Sequence, residues 1–263
     1  MMTDPSISIV AFYGCIAASA LVTGISKAGF GGGVGILAMP LTALVMPAEH
    51  MLGVMLPVLI VADLLSNLHY LKEYEWRLLR GLLPGAVVGI GLGALVFIAF
   101  QQMDPHRMER ALSGLIGVIC LLFVGVQAYG LTGRKVFTPA THPGSSLAVG
   151  LTSGVVSTLS HSAGPIATLY LLQEKLEKRR MVGTLLLFFL VVNAVKAPFY
   201  VSLGVINAST LKDTVLFLPL LPVGTLFGAW MNRRLNPLWF TIIMYTATAA
   251  TAGHLVYKAL AAS

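Results

Sequence analysis

Gly24–Tyr70, GISKAGFGGGVGILAMPLTALVMPAEHMLGVMLPVLIVADLLSNLHY, can be laid without a gap on Gly154–Tyr200, GVVSTLSHSAGPIATLYLLQEKLEKRRMVGTLLLFFLVVNAVKAPFY, at a constant offset of 130. Gly24 falls on Gly154, Met51 on Met181, Gly53 on Gly183 and Tyr70 on Tyr200, while the ionisable Asp63 falls on the amide Asn193. Five residues inserted after the second copy move the offset to 135, where Pro84, Gly89 and Gly93 meet Pro219, Gly224 and Gly228. The order and spacing of these matches, more than their number, mark an internal repeat, and both copies are strongly apolar.

Composition places the repeat in a bilayer. The chain is 57% hydrophobic and 10% charged, with a mean hydropathy of +0.86; in water such a chain would be coated with apolar surface. Leu82–Phe100, Ala111–Leu131 and Leu238–Tyr257 carry no charge until their ends and have the roughly 20 residues that cross about 30 Å of hydrocarbon as helix. Met51–Leu71, Met181–Ile206 and Thr214–Asn232 are expected as three further spans. Cys15 and Cys120 lie in apolar stretches without metal-ligand spacing, so neither a disulfide nor a metal site is expected. Met1–Pro5 lacks a basic region, and no removable leader is expected.

Each half opens irregularly. Ser145–Gln173 is interrupted by Ser160, His161, Ser162, Ala163, Gly164 and Pro165 and is too short for two crossings at 1.5 Å per residue. It can form a hairpin reaching the bilayer middle or one broken helix, since irregular backbone is tolerated there when protein or a cavity surrounds it. The first half breaks at Gly29, Phe30, Gly31, Gly32, Gly33, Val34 and Gly35; because apolar sequence begins at Ile7, two short spans also stay open there.

Charge separates the topologies, because cytoplasmic loops collect Lys and Arg. If each opening element enters and leaves on one side, Lys72, Arg77, Arg80, Arg134, Lys135, Lys175, Lys178, Arg179, Arg180, Arg233 and Arg234 share the cytoplasmic face, against Arg107, Arg110, Lys212 and Lys258 outside. Single crossings would divide the same residues almost evenly. The expectation is therefore an all-α integral membrane protein of two inverted repeats, each a re-entrant or broken helical hairpin followed by three transmembrane helices, with both termini outside. Residues 1–135 hold the N-terminal repeat and the start of the cytoplasmic linker, 136–263 the C-terminal repeat, in one integrated membrane domain. The net charge of +7 follows from these loops and suits anionic headgroups; no Arg-aromatic groove points to nucleic acid.

Inverted repeats with interrupted helices are the pattern of secondary transporters, whose site lies where the breaks meet. Helix N-termini at the tips, with unpaired N–H groups, favour an anion. Gly31, Gly32 and Gly33 permit close approach, and Ser160, His161 and Ser162 offer hydrogen bonds; packing and helix capping are the competing roles. Lys27 and Lys196 are intramembrane ammonium groups that would neutralise the anion. Asp63, with Asn193 at its equivalent position, is a candidate for proton coupling or for pairing a lysine, and His161 for proton coupling or for anion binding when protonated. Substrate-binding candidates are thus Lys27, Gly31, Gly32, Gly33, Ser160, His161, Ser162, Asn193 and Lys196. No cofactor is called for; the partners expected are a small anion, the lipid bilayer and protons as a coupling ion, with the oligomeric state unread.

The glycine-rich opening with Pro40, the series Pro84, Gly85, Gly89 and Gly93, and their weaker echo in the second half resemble the TauE/SafE family of sulfite exporter-like membrane proteins, from about Gly24 to Tyr245. The resemblance implies a multi-spanning transporter of the bacterial cytoplasmic membrane that moves small anions such as sulfite or organosulfonates, often outward, with other organic anions among relatives. The glycine pattern carries over to Gly29, Gly31, Gly32, Gly33 and Gly35, whereas Ser160, His161, Ser162 and Ala163 depart from it. Alternating access by a proton-coupled exporter is the reading favoured. A passive anion channel and a carboxylate transporter stay as alternatives. An intramembrane hydrolase built on Ser160, His161 and Ser162 is disfavoured, because a Ser beside a His in sequence rarely puts base on nucleophile. No GxxxxGK[ST] motif supports ATP coupling.

Overall fold

The computed structural model describes residues 8–32, 35–131, 143–234 and 238–261. Among them the chain forms eleven α-helices and no strand: α1 (Ile9–Phe30), α2 (Ala38–Ala43), α3 (Ala48–Asn67), α4 (Trp76–Gln101), α5 (Pro105–Leu131), α6 (Pro143–Ser160), α7 (Gly164–Gln173), α8 (Lys178–Ser202), α9 (Ala208–Thr214), α10 (Leu221–Arg234) and α11 (Leu238–Ala261). Among the described residues Ile9–Phe30, expected as part of a hairpin, joins the segments long and apolar enough to cross a membrane, and Leu238–Tyr257, expected as a span, does not; the six are Ile9–Phe30, Ala48–Asn67, Trp76–Gln101, Pro105–Gly130, Lys178–Ser202 and Ala208–Arg234. The last is not the continuous helix expected over Thr214–Asn232. It breaks between α9 and α10 at a 3-10 turn, Leu218–Leu220, because Pro219 and Pro222 cannot supply helical N–H donors.

Each half opens with a long helix and a short one folded back beside it. In the first, α1 has 22 residues and α2 only six, so one full-length helix and a short return replace the alternative of two short spans. Thr42 on α2 donates to Ser19 Oγ on α1 at 2.9 Å, far back from the turn. In the second, α7 has ten residues, about 15 Å, too short to cross, and Tyr170 near its end hydrogen-bonds Ser146 near the start of α6. The turns are built alike. Gly31 closes α1 in the left-handed region at φ 64°, its N–H donating to Lys27 O. His161, 130 residues on, takes φ 54° and donates to Ser157 O. Glycine adopts this conformation freely; histidine does so at a cost that its surroundings must hold.

Small residues bring the helices together. α6 packs on α4 and α1 on α10 through backbone contact: Gly89 faces Leu151 O and Gly93 faces Thr158, while Gly224 faces Leu21 O and Gly228 faces Ile25 O. These pairs match at the offsets read from sequence, since Leu21 corresponds to Leu151 and Gly89 to Gly224. The GxxxG spacing of α4 therefore serves packing within the chain. Tyr70 donates to Ala28 O and Tyr200 to Thr158 O, each at 2.5 Å and each reaching back 42 residues. α3 and α8 meet at the centre, α5 and α11 at the side. Outward faces such as Val87, Val88, Leu92 and Leu95 on α4 are exposed, as a lipid-facing helix requires.

Charged residues collect at the ends. At one end Arg77 pairs with Glu174 at 2.8 Å, and Arg179 with Glu73 and Arg180 with Glu75 at 3.6 Å; Lys178 donates to Asn232 O at 2.6 Å beside Arg233 and Arg234. At the other, His50 pairs with Asp213 at 2.8 Å, Gln101 donates to Glu49 at 2.9 Å, and Arg107, Arg110 and Lys258 lie together. His50 and Arg180 are themselves 130 residues apart, so each end carries a contact to an acidic residue across the halves from the same position. Arg134 and Lys135 fall outside the described residues.

Candidate functional site

The site is assembled from α1, α3, α6, α8 and the two hairpin turns. Asp63 is the sixteenth residue of α3, about 22 Å along it from Ala48, and is fully buried. Its Oδ1 pairs with Lys27 Nζ at 2.6 Å, and its Oδ2 accepts from Asn193 Nδ2 at 2.8 Å. The amide bond thus joins Asp63 to its own counterpart in the repeat. Lys27 is 6% exposed and also lies over the Phe189 ring, 4.9 Å from its centroid.

Lys196 is fully buried and reaches α6, where its Nζ donates to Ser157 O at 2.9 Å and Ser157 Oγ at 3.0 Å, and stands 2.8 Å from His161 Nδ1. His161 Nε2 is 3.0 Å from Leu52 O. A carbonyl oxygen only accepts, so Nε2 carries the hydrogen, and a neutral imidazole then accepts from Lys196 Nζ through Nδ1. Around the bundle centre two lysine amines and one carboxylate come together; Lys27 takes the carboxylate, and the bonds of Lys196 go to Ser157 and His161.

The repeat exchanges the residue types at these places. Position 27 carries Lys where 157 carries Ser, and position 66 carries Ser where 196 carries Lys. Each half therefore brings one ammonium group to the centre, from α1 in the first and from α8 in the second.

Between the turns lies a cavity of about 30 Å³, room for about one water. Ser26, Lys27, Gly32, Ser157, His161 and Asn193 form its polar side; Ile36, Met39, Leu59 and Phe189 its apolar side. The two breaks thus meet, and of the residues singled out from sequence Lys27, Gly32, His161, Ser162 and Asn193 line the space. Others stand back from it. Gly31 is packed against Leu185. Ser160 Oγ donates to Val156 O at 2.9 Å, and Lys196 lies behind Ser157 and His161. Gly33 lies outside the described residues. His69 bonds Leu65 O at 3.2 Å, and His254 is exposed on α11.

Sequence reading missed Ser26 and Ser157. Ser157 could have been found, since it is the counterpart of Lys27 at offset 130. Ser26 carried no signal beyond its place beside Lys27, yet its Oγ is buried on the cavity without a hydrogen-bond partner among the described residues. A hydroxyl left so is poised to donate to a bound oxyanion. Near the basic end, Tyr74 donates to Asn67 Oδ1 at 3.2 Å; burial pushes its hydroxyl up from the ordinary value, keeping it a donor.

Six apolar spans, the first of them the long limb of one hairpin, a second hairpin folded back on itself and a charged cavity where the turns meet define a multi-pass helical membrane protein with its polar groups turned inward. The chain belongs to the sulfite exporter TauE/SafE family, whose sequence pattern matches residues 16–255, a family of sulfite exporter-like membrane transporters. No curated protein and no solved structure matches it.

Proposed function

We propose that this protein is a secondary transporter that exports a small anion, sulfite or a short organosulfonate, from the cytoplasm of a bacterial cell by alternating access. The observation that carries the reading is a pair of buried lysines, Lys27 on the cavity wall and Lys196 behind Ser157 and His161, set against the carboxylate of Asp63. A buried charge is tolerated when something balances it, and a monoanion held by Ser26, Ser157 and Ser162, with Lys27 and Lys196 on either side, would do so. The apolar side of the cavity suits the carbon chain of an organosulfonate. A space of about 30 Å³ fits an occluded form that must open before an anion enters or leaves.

The halves act as inverted repeats, with Asp63 and Asn193 on the axis that relates them. The reciprocal packing of α1 on α10 and α6 on α4, and the paired tyrosine bonds, support this reading, because only an exchange of halves maps one set onto the other. The end holding Arg77, Lys178, Arg179, Arg180, Arg233 and Arg234 faces the cytoplasm, which sets both termini outside. Asp63 couples transport to protons: when the anion draws Lys27 away, the carboxylate loses its counter-ion and takes a proton.

Uptake of radiolabelled sulfite, sulfoacetate and a non-sulfur carboxylate into proteoliposomes, with and without an imposed pH gradient, tests this. Gradient-driven accumulation of a sulfur oxyanion is expected. Selectivity for the carboxylate would replace the substrate, unsaturable flux without accumulation would make the protein a channel, and absence of flux for every anion would defeat the proposal.

A further inference from the structure

We infer that a second cavity, at the end of the bundle opposite the basic loops, is an outer binding station for the same class of anion. The inference rests on the transport reading above. The cavity measures about 350 Å³ and lies where the α2–α3 connection meets the start of α5 and the end of α11. Leu44, Met46 and Leu255 form an apolar wall; His106, Arg110 and Lys258 form a basic one. Glu109 is the acidic residue of the lining, and it is engaged: one oxygen accepts from the Ala48 N–H at 2.8 Å and the other from Ser113 Oγ at 2.8 Å. Its charge therefore serves the N-terminus of α3, while His106, Arg110 and Lys258 make up the basic side of the lining.

Two features tie this space to transport. The first is α2. Gly35, Ile36 and Met39 line the central cavity, and Ala43, Leu44 and Met46 line the outer one. Met39 and Ala43 are one helical turn apart, about 6 Å, so a six-residue helix is the partition between the two. Thr42 pins it to α1 through Ser19. The second is size. The central cavity has room for a water, whereas the outer is within the range of small-molecule sites, so it can hold an anion while the centre is closed. Of four basic residues that the charge distribution assigns to this end, Arg110 and Lys258 line this cavity, and Arg107 lines the adjoining hollow with Arg110. A concave basic surface raises the local concentration of an anion. The ligand is a small organic anion with an apolar part, set with its charge toward Lys258 and Arg110 and its carbon chain against Leu44 and Leu255. An anionic lipid headgroup shares that chemistry, and the experiment separates the two.

The experiment uses the full chain in nanodiscs with Cys15 and Cys120 replaced by Ala and Ala259→Cys as reporter on the cavity wall, reacted with a membrane-impermeant maleimide. Ethanesulfonate is expected to slow labelling about tenfold at ten times its Kd, because the unprotected fraction is 1/(1 + [L]/Kd). Lys258→Gln should raise the concentration needed roughly threefold, as for one partly exposed charge, and Arg110→Gln with Lys258→Gln should remove protection. Ethanesulfonate should protect equally well in nanodiscs of purely zwitterionic lipid; protection only by phosphatidylglycerol, without ethanesulfonate, would overturn the substrate station in favour of a lipid site. Labelling insensitive to ethanesulfonate in every lipid would overturn it altogether. The same background carrying Lys196→Met separates the two claims, since it should lose transport and keep protection. Protection in a protein that transports no anion would leave the outer station standing and remove the transport reading.

Discussion

Replacing Lys196 with Met removes the amine behind the cavity while keeping a side chain of similar length in a fully buried slot. Nζ lies 2.8 Å from His161 Nδ1, and the imidazole lines the cavity, so an anion against the far side of that ring sits about 7 Å from the ammonium. At an effective dielectric of about 20 the attraction is about 2.4 kcal/mol, roughly 50-fold in affinity. Folding should change little, by about 1–2 kcal/mol, because the lost bonds to Ser157 and His161 are offset by the removed desolvation of a charge. Concentration-dependent uptake of labelled sulfite into proteoliposomes reads the first quantity, and thermal unfolding of the purified protein in detergent reads the second. Uptake with wild-type KM and rate would refute the charge argument. Loss of uptake with a collapsed unfolding temperature would show instead that Lys196 is structural.

Asp63→Asn should destabilise the protein by about 3–5 kcal/mol, because Lys27 is left as a buried charge without its partner. Adding Lys27→Met should recover most of that stability, which thermal unfolding of the single and double variants will show. Gly154→Val would place a Cβ 2.9 Å from Ile90 N and 3.0 Å from Gly89 C, backbone atoms that cannot yield. The separation of α6 from α4 should cost about 1–3 kcal/mol, read as a lower unfolding temperature, and an unchanged value would mean that the helices are not in close contact. Tyr70→Phe and Tyr200→Phe each delete one hydroxyl donated to a carbonyl 42 residues back. Losses of about 1 kcal/mol each and of equal size are expected, and a large loss from one alone would count against equivalent halves.

The sequence by itself marked five of the six apolar spans, the two interrupted openings and the matched positions. Each of these follows from local properties: uncharged length sets the spans, and glycine and proline mark the interruptions. Even the left-handed turn that closes α1 was legible at Gly31, although His161 in the same conformation was not, since nothing in a histidine announces it. The break between α9 and α10 was missed because the apolar residues around Pro219 and Pro222 keep the segment's mean hydropathy high, and hydropathy takes no account of their missing N–H groups. The offset also pointed to Asp63 and Asn193 as counterparts, but not to their hydrogen bond, which requires α3 and α8 to cross at those residues. Only the tertiary structure decided which lysine pairs with Asp63, because Lys27 and Lys196 carry the same charge and differ only in where their helices place them. It alone turned Ser26 and Ser157 toward the cavity, and Gly31 and Ser160 away from it, since rotation of a helix about its axis is set by packing against all of its neighbours. A pattern of residues specifies that such helices will meet; the close contact of glycine on backbone specifies which faces do.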